Sequence, residues 1–164
     1  MAQESCFTQL LRAILFGVLK SDYEGQICSV ARALEIVGER WTLLIIRDAF
    51  LGLRRFEEFQ ASLGIARNVL TQRLNNLVEQ GIFKRVRYSE RPERYEYRLT
   101  RKGRDLNIAL SALRQWGDQH ADKKPPRVLR RKCDKKSVIA ALVPAGSKDI
   151  LGAADVELVE RGAA

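Results

Sequence analysis

The strongest constraint on this chain is an abrupt change of hydrophobic period near residue 82. Before it, apolar stripes recur at helical spacing and each is closed by a glycine. After it, the pattern alternates residue by residue. Val30, Leu34 and Val37 fall at i, i+4 and i+7, with Ala33 beside them, and Gly38 ends the run. A second stripe of Trp41, Leu44, Ile45 and Asp48–Ala49 starts near Glu39 and stops at Gly52. Leu43 and Ile46 make that helix apolar nearly all round, which predicts a central position. Phe56, Phe59 and Leu63 mark a short third helix opening at Arg55 and closed by Gly64. Beyond the link Gly64–Ile65–Ala66, Leu70, Leu74 and Leu77 mark a fourth helix from Arg67 to about Gln80, with Gly81 in the stop position.

Ile82 to Tyr88 and Arg94 to Thr100 read as strands, because Tyr95, Tyr97 and Leu99 alternate with Arg94, Glu96 and Arg98. Ser89–Glu90–Arg91–Pro92–Glu93 has turn chemistry between them. Thr100 is placed to cap a fifth helix reaching about His120. Its stripe of Leu106, Leu110, Leu113 and Trp116 is more apolar surface than a hairpin can cover. The fold class predicted is mainly α with a small β-hairpin (α+β). Two helices joined by a short glycine turn and followed by a basic hairpin are the parts of a winged helix-turn-helix.

In that arrangement the third helix crosses a DNA backbone and the fourth enters the major groove. With Leu70, Leu74 and Leu77 facing inward, the other face carries Arg67, Asn68, Thr71, Gln72 and Asn75, and Arg73 is counted with them. Arg, Asn and Gln can pair with base edges through two hydrogen bonds, and no carboxylate interrupts these positions. Arg87, Arg91 and Arg94 lie at or near the hairpin tip, within reach of phosphates, with Arg54 and Arg55 as further backbone contacts. A solvated polar face and surface ion pairs with Glu90, Glu93 or Glu96 are the plainer reading of each element taken singly. The order of all three elements favours double-stranded DNA as partner.

Charge agrees in distribution more than in size. The net charge is +9, and the positive excess sits in two blocks: residues 84–104 hold nine basic and three acidic side chains and residues 123–136 hold eight and one, while the rest of the chain is net negative.

The segments Cys28–Ser29–Val30–Ala31–Arg32–Ala33–Leu34, Gly38–Glu39–Arg40–Trp41–Thr42–Leu43–Leu44–Ile45–Ile46–Arg47 and Arg54–Arg55–Phe56 resemble the HxlR-type winged-helix regulators of bacteria. So do Leu70–Thr71–Gln72–Arg73–Leu74, Tyr95–Glu96–Tyr97–Arg98–Leu99–Thr100 and Lys102–Gly103. The resemblance runs from about Gln26 to His120. It implies a homodimer on an inverted-repeat operator, often acting as a repressor, joined through its N-terminal helices and its last helix. Leu106, Leu110, Leu113 and Trp116 would then belong to the dimer interface. Members often open the domain with Cys-Pro, and in some the cysteine senses electrophiles or disulfide stress. Here Cys28 is kept and Ser29 replaces the proline. A thiolate is favoured at a helix N-terminus, so Cys28 is a candidate sensor; a cysteine merely packed at the interface is the other reading.

Four regions are expected: an N-terminal extension over 1–26, the DNA-binding domain over 27–121, a basic linker over 122–136 and an extension over 137–164. The first is read as an added dimer helix, or as sequence ahead of a natural start at Val18. In the last, Ser137–Val143 and Asp155–Val159 read as short strands. Some relatives carry paired cysteines for zinc in such a tail; here only Cys133 stands there, and three scattered cysteines with one histidine supply no metal site. No nucleophile–base pair or phosphate-cradling loop is visible, so neither an enzyme nor a cofactor is expected. Leu10–Leu19 lacks the length of a membrane span and the flanks of a signal peptide, which places the chain in the cytoplasm, with no membrane partner. Two alternatives stay open: a winged helix that binds protein or RNA, and a regulator whose small-molecule effector sits at the dimer interface.

Overall fold

The computed structural model describes Tyr23 and residues 28–121 and 127–157. The stretch 1–22 and residues 24–27, 122–126 and 158–164 lie outside the described residues, and with them most of the expected N-terminal extension. Four helices come first: α1 (Ser29–Val37), α2 (Thr42–Phe50), α3 (Phe56–Leu63) and α4 (Arg67–Glu79). The antiparallel hairpin of β1 (Phe83–Glu90) and β2 (Glu93–Leu99) follows, then α5 (Arg101–Asp105) and α6 (Asn107–His120). The loop before α3 adds a third rung to the hairpin. Arg55 bridges Glu96, and the Tyr97 amide donates to the Arg54 carbonyl at 2.7 Å. This is the winged helix-turn-helix that the sequence predicts.

The core gathers one face of each element. Ile45 and Ile46 of α2, Phe59 of α3 and Leu70, Leu74 and Leu77 of α4 are wholly buried, with Ile82 and Phe83 closing the hairpin side. Truncating one such leucine to alanine costs about 2–5 kcal/mol. Helix α4 ends in a hydrogen-bonded cap that requires a left-handed residue. Gly81, at φ +68°, donates to Val78 O at 3.0 Å while the Ile82 amide reaches Leu77 O at 2.9 Å. That cap aims the chain from the helix into β1. Thr100 then starts α5, its hydroxyl donating to Gly81 O at 2.6 Å and accepting from the Gly103 amide at 3.1 Å.

Several elements differ from the sequence reading. On α1 the buried residues are Ala31 and Val37, whereas Val30 and Leu34 of the expected core stripe are exposed, at 65% and 37%. Helix α2 begins at Thr42 because Trp41 takes a left-handed conformation, and Leu44 of the expected buried stripe lies exposed, whereas Asp48 of the same stripe is buried as expected. The hairpin turn narrows to Arg91–Pro92, with Glu90 opposite Glu93 and a register irregularity between Arg87 and Ser89. The expected fifth helix divides at Leu106, where the Leu106 amide makes a shorter-range bond to Gly103 O at 3.4 Å before α6 resumes.

Among the described residues, the expected strand over Ser137–Val143 is not continuous, while the expected linker and the strand over Asp155–Val159 lie partly outside the described residues. Arg130 bridges Ser137 and Leu142 bridges Leu151, both as isolated antiparallel contacts, and a 3-10 turn covers Ala153–Asp155. The basic run thus closes a turn upon itself. Gln115 of α6 fastens this region to the domain, since its amide donates to Ala140 O at 3.2 Å and accepts from Ala140 N at 2.9 Å.

Candidate nucleic-acid interface

Local chemistry fixes how α3 and α4 present themselves. Glu58, in the first turn of α3, accepts the Arg54 and Arg55 amides on one carboxylate oxygen at 2.7 and 2.9 Å. These two backbone donors hold the Glu58 carboxyl below its ordinary pKa, and they fix the loop that carries both arginines. The tight turn through Gly64 then sets α4 against α3, with Ile65 buried beneath it.

Along α4, Arg67, Asn68, Thr71, Gln72 and Asn75 are all exposed. Arg67 stacks its guanidinium over the Phe56 ring at 4.7 Å, which orients it without using up its donors. Thr71 donates its hydroxyl to the Arg67 carbonyl at 2.8 Å, leaving lone pairs free. Among the described residues, Gln72 and Asn75 make no side-chain hydrogen bond within the chain. Their amides therefore keep the paired donor and acceptor that base edges require.

Arg73 does not belong with this group. Its guanidinium turns to the α1–α2 junction, where it pairs with Glu39 at 2.6 Å and donates to the Arg40 carbonyl at 3.2 Å. Its position on the flank of the buried stripe allows that reach, and its role is to tie α4 to the preceding helices.

The wing carries its charge unevenly. Arg87 is bonded to Glu90 at 2.9 Å and Glu93 at 3.3 Å, so the tip carboxylates offset much of its charge. Glu93 also accepts from the Tyr95 hydroxyl at 2.6 Å; this bond and that from Arg87 hold its carboxyl below its ordinary pKa. Arg91 and Arg94 are exposed and make no ion pair among the described residues. Two further contacts escaped the sequence reading. Arg85 lies over the Tyr95 ring at 3.7 Å, and Arg55 lies over Tyr88 at 4.7 Å. Together with Arg67 and Arg94 they line an open cleft of about 630 Å³ between the wing and α3–α4. Stacked arginines lose less side-chain freedom when they bind an anion, which suits a phosphate-contacting wall.

On other faces, Leu106 and Leu110 pack against the domain core, so they cover the monomer's own interior. Leu113 (54% exposed), Trp116 (62%) and Ile108 (76%) form one outward face of α6. Cys28, the N-cap of α1, is exposed; the Ala31 and Val30 backbone amides lower its thiol pKa. Among the described residues no cluster of His, Cys, Asp or Glu is arranged to hold a metal ion, and no helix is long and apolar enough to cross a membrane.

This fold and surface define a winged helix-turn-helix protein of the DNA-binding class. Residues 36–125 match the family described as HxlR-like helix-turn-helix, and the chain belongs to that family. It is a bacterial transcriptional regulator of helix-turn-helix type. An uncharacterised regulator of this type from Mycobacterium tuberculosis is 55% identical over 114 residues, spanning 68% of this chain and 71% of that one. The crystal structure of PA1607, provisionally described as a transcription factor, superposes with a TM-score of 0.74 at 42% identity. That match covers 84% of this chain and 97% of PA1607, more than residues 28–121 alone can supply. The redox regulator HypR in its reduced form matches at a TM-score of 0.55 and 30% identity, covering 58% of this chain and 95% of HypR.

Proposed function

We propose that this regulator binds a specific inverted-repeat operator as a homodimer and represses transcription from it. Asn68, Gln72 and Asn75 read base edges, with Arg67 and Thr71 beside them. Arg54, Arg55, Arg85, Arg91 and Arg94 hold the phosphates on either side. The observation that carries this reading is the exposed, carboxylate-free polar face of α4, where the Gln72 and Asn75 amides make no hydrogen bond among the described residues and Asn68 uses only its oxygen, on the Val69 amide, beside a cleft whose arginines stack on aromatic rings. The homodimer rests on two apolar faces with nothing over them among the described residues: Val30 and Leu34 on α1, and Ile108, Leu113 and Trp116 on α6. Competition binding tests the operator claim. The duplex flanking the protein's own gene should outcompete a scrambled duplex by about a thousandfold at physiological salt. Equal competition by the two would overturn operator specificity, because phosphate contacts alone do not distinguish sequences.

Cys28 supports a second element of this reading, a thiol switch. Its sulfur is exposed at a helix start, its pKa is lowered by backbone amides, and HypR, described as a redox regulator, shares the fold. Oxidation or alkylation there would add bulk or charge at the start of α1, next to the apolar face assigned to the dimer. An oxidant that leaves operator affinity unchanged would remove this element and spare the rest.

A further inference from the structure

The cleft between the wing and α3–α4 is not lined by arginines alone. Glu57, Glu58 and Glu93 also line it. Glu58 is bonded to the Arg54 and Arg55 amides, whereas Glu93 stands on the wing itself, close to Arg85. A carboxylate in that place either repels a phosphate or pairs with an arginine that would meet one. Yet Arg85 makes no ion pair among the described residues, although its charge is near enough to help hold the Glu93 carboxyl low.

One side chain separates the two charges. Tyr95 carries the Arg85 guanidinium over its ring at 3.7 Å and donates its hydroxyl to Glu93 Oε1 at 2.6 Å. The same oxygen accepts Arg87 Nη1 at 3.3 Å, and Arg87 is held in turn by Glu90 at 2.9 Å. Of the two bonds on Glu93, the short hydroxyl–carboxylate bond is the stronger. It is the first cause of the lowered Glu93 pKa, and it raises the Tyr95 hydroxyl above its ordinary value. Strand register explains the arrangement. Tyr95 pairs directly with Arg87 and lies diagonal to Arg85, while Glu93, two residues before it, shares its face of the strand.

We propose that Tyr95 is a positioning residue of the wing, whose hydroxyl keeps Glu93 turned toward Arg87 and away from Arg85, so that Arg85 meets a DNA phosphate with its charge intact. The proposal deepens the DNA reading above and rests on it. Without the hydroxyl, Glu93 retains only the longer Arg87 bond and pairs with Arg85, which then has no net charge to offer a phosphate.

The test removes the hydroxyl and keeps the ring. Tyr95 is half-buried and does not belong to the core cluster, so Tyr95→Phe leaves the packing in place. Titrated against a random-sequence duplex over a salt series, the full-length variant should bind about fivefold more weakly than the parent, with the salt slope reduced by about one. In a Glu93→Gln background, and separately in an Arg85→Ala background, the same change should have no effect, because one member of the new pair is missing. A hydroxyl that served stability alone would cost the same in all three. Binding equal to the parent's, or a loss that persists in either background, overturns the proposal.

A second readout needs no DNA. In an NMR titration of the Glu93 carboxyl, Arg85→Ala should raise the midpoint further in the Tyr95→Phe protein than in the parent, since only there are the two paired. Equal displacement overturns the assignment of Tyr95. A protein that shows the difference and binds no duplex loses the DNA reading; one that binds duplex without the difference loses the role of Tyr95 alone.

Discussion

Arg73 on the recognition helix reaches back 34 residues in sequence to pair with Glu39 at 2.6 Å, so α4 is anchored to the α1–α2 junction by one of its own arginines. Glu39 is about half exposed, which limits what the pair contributes. Arg73→Ala should lower the unfolding free energy by about 1 kcal/mol, counting the added bond to the Arg40 carbonyl. Base preference should not change. Denaturant melts beside competition binding check both halves, and altered base preference would return Arg73 to the readout group.

The amide row and the wing should respond differently to mutation. Gln72→Ala or Asn68→Ala should relax discrimination at one base pair per half-site, by about 1–3 kcal/mol each. Arg91→Ala should weaken binding to all duplexes by a similar factor and reduce the salt slope by about one. Affinity titrations over a salt series separate the two behaviours, and identical responses would contradict the division of roles.

Gly103 is held where no side chain fits. A Cβ there would meet Ile82 O at 2.3 Å and Leu99 Cδ2 at 2.9 Å, both within the joint between wing and α5. Gly103→Ala should destabilise the domain by about 1–3 kcal/mol through overpacking. Thr100→Ala, which removes the cap of the same helix, should cost about 1 kcal/mol. Thermal melts report both, and a Gly103→Ala protein as stable as the parent would show that the joint relaxes freely.

The Cys28 thiol is lowered by the Ala31 and Val30 amides in the folded chain, and unfolding removes those donors. Its alkylation rate should therefore rise at a lower pH in the native protein than in urea. The sign for stability follows. Deprotonation is favoured in the folded state, so this contribution is present above the unfolded-state pKa and is lost as pH falls through the folded-state value. Coincident rate profiles in the two states would remove the basis for a thiol switch.

The outward face of α6 predicts the oligomer. Leu113→Glu should place a charge in the proposed dimer face and shift sedimentation from dimer toward monomer, with the melting temperature falling as partner burial is lost. Unchanged sedimentation would move the interface elsewhere.

Much of this was legible from the sequence because burial on α4 leaves a plain mark. Leu70, Leu74 and Leu77 recur at helical spacing, all three are wholly buried, and the polar face opposite follows from geometry. Periodicity reports that a face is covered, without saying by what. Val30, Leu34 and Leu113 read as apolar stripe and lie exposed on the single chain, while Leu106 and Leu110 of the same stripe turn inward. Arg73 could not be sorted from its neighbours because its partner is distant in sequence. Arg85 was missed because its stack on Tyr95 is a diagonal contact across the hairpin, fixed by the Arg85–Tyr97 and Arg87–Tyr95 register.

Selection of bound duplexes from a random library tests the central claim most directly. The account predicts one enriched motif with two inverted half-sites, spaced by about one helical turn or a multiple of it. With Gln72→Ala protein, the same motif should lose preference at one position in each half. Retention of duplex without an enriched motif, or an enriched motif lacking inverted symmetry, would contradict a homodimer that reads bases through α4.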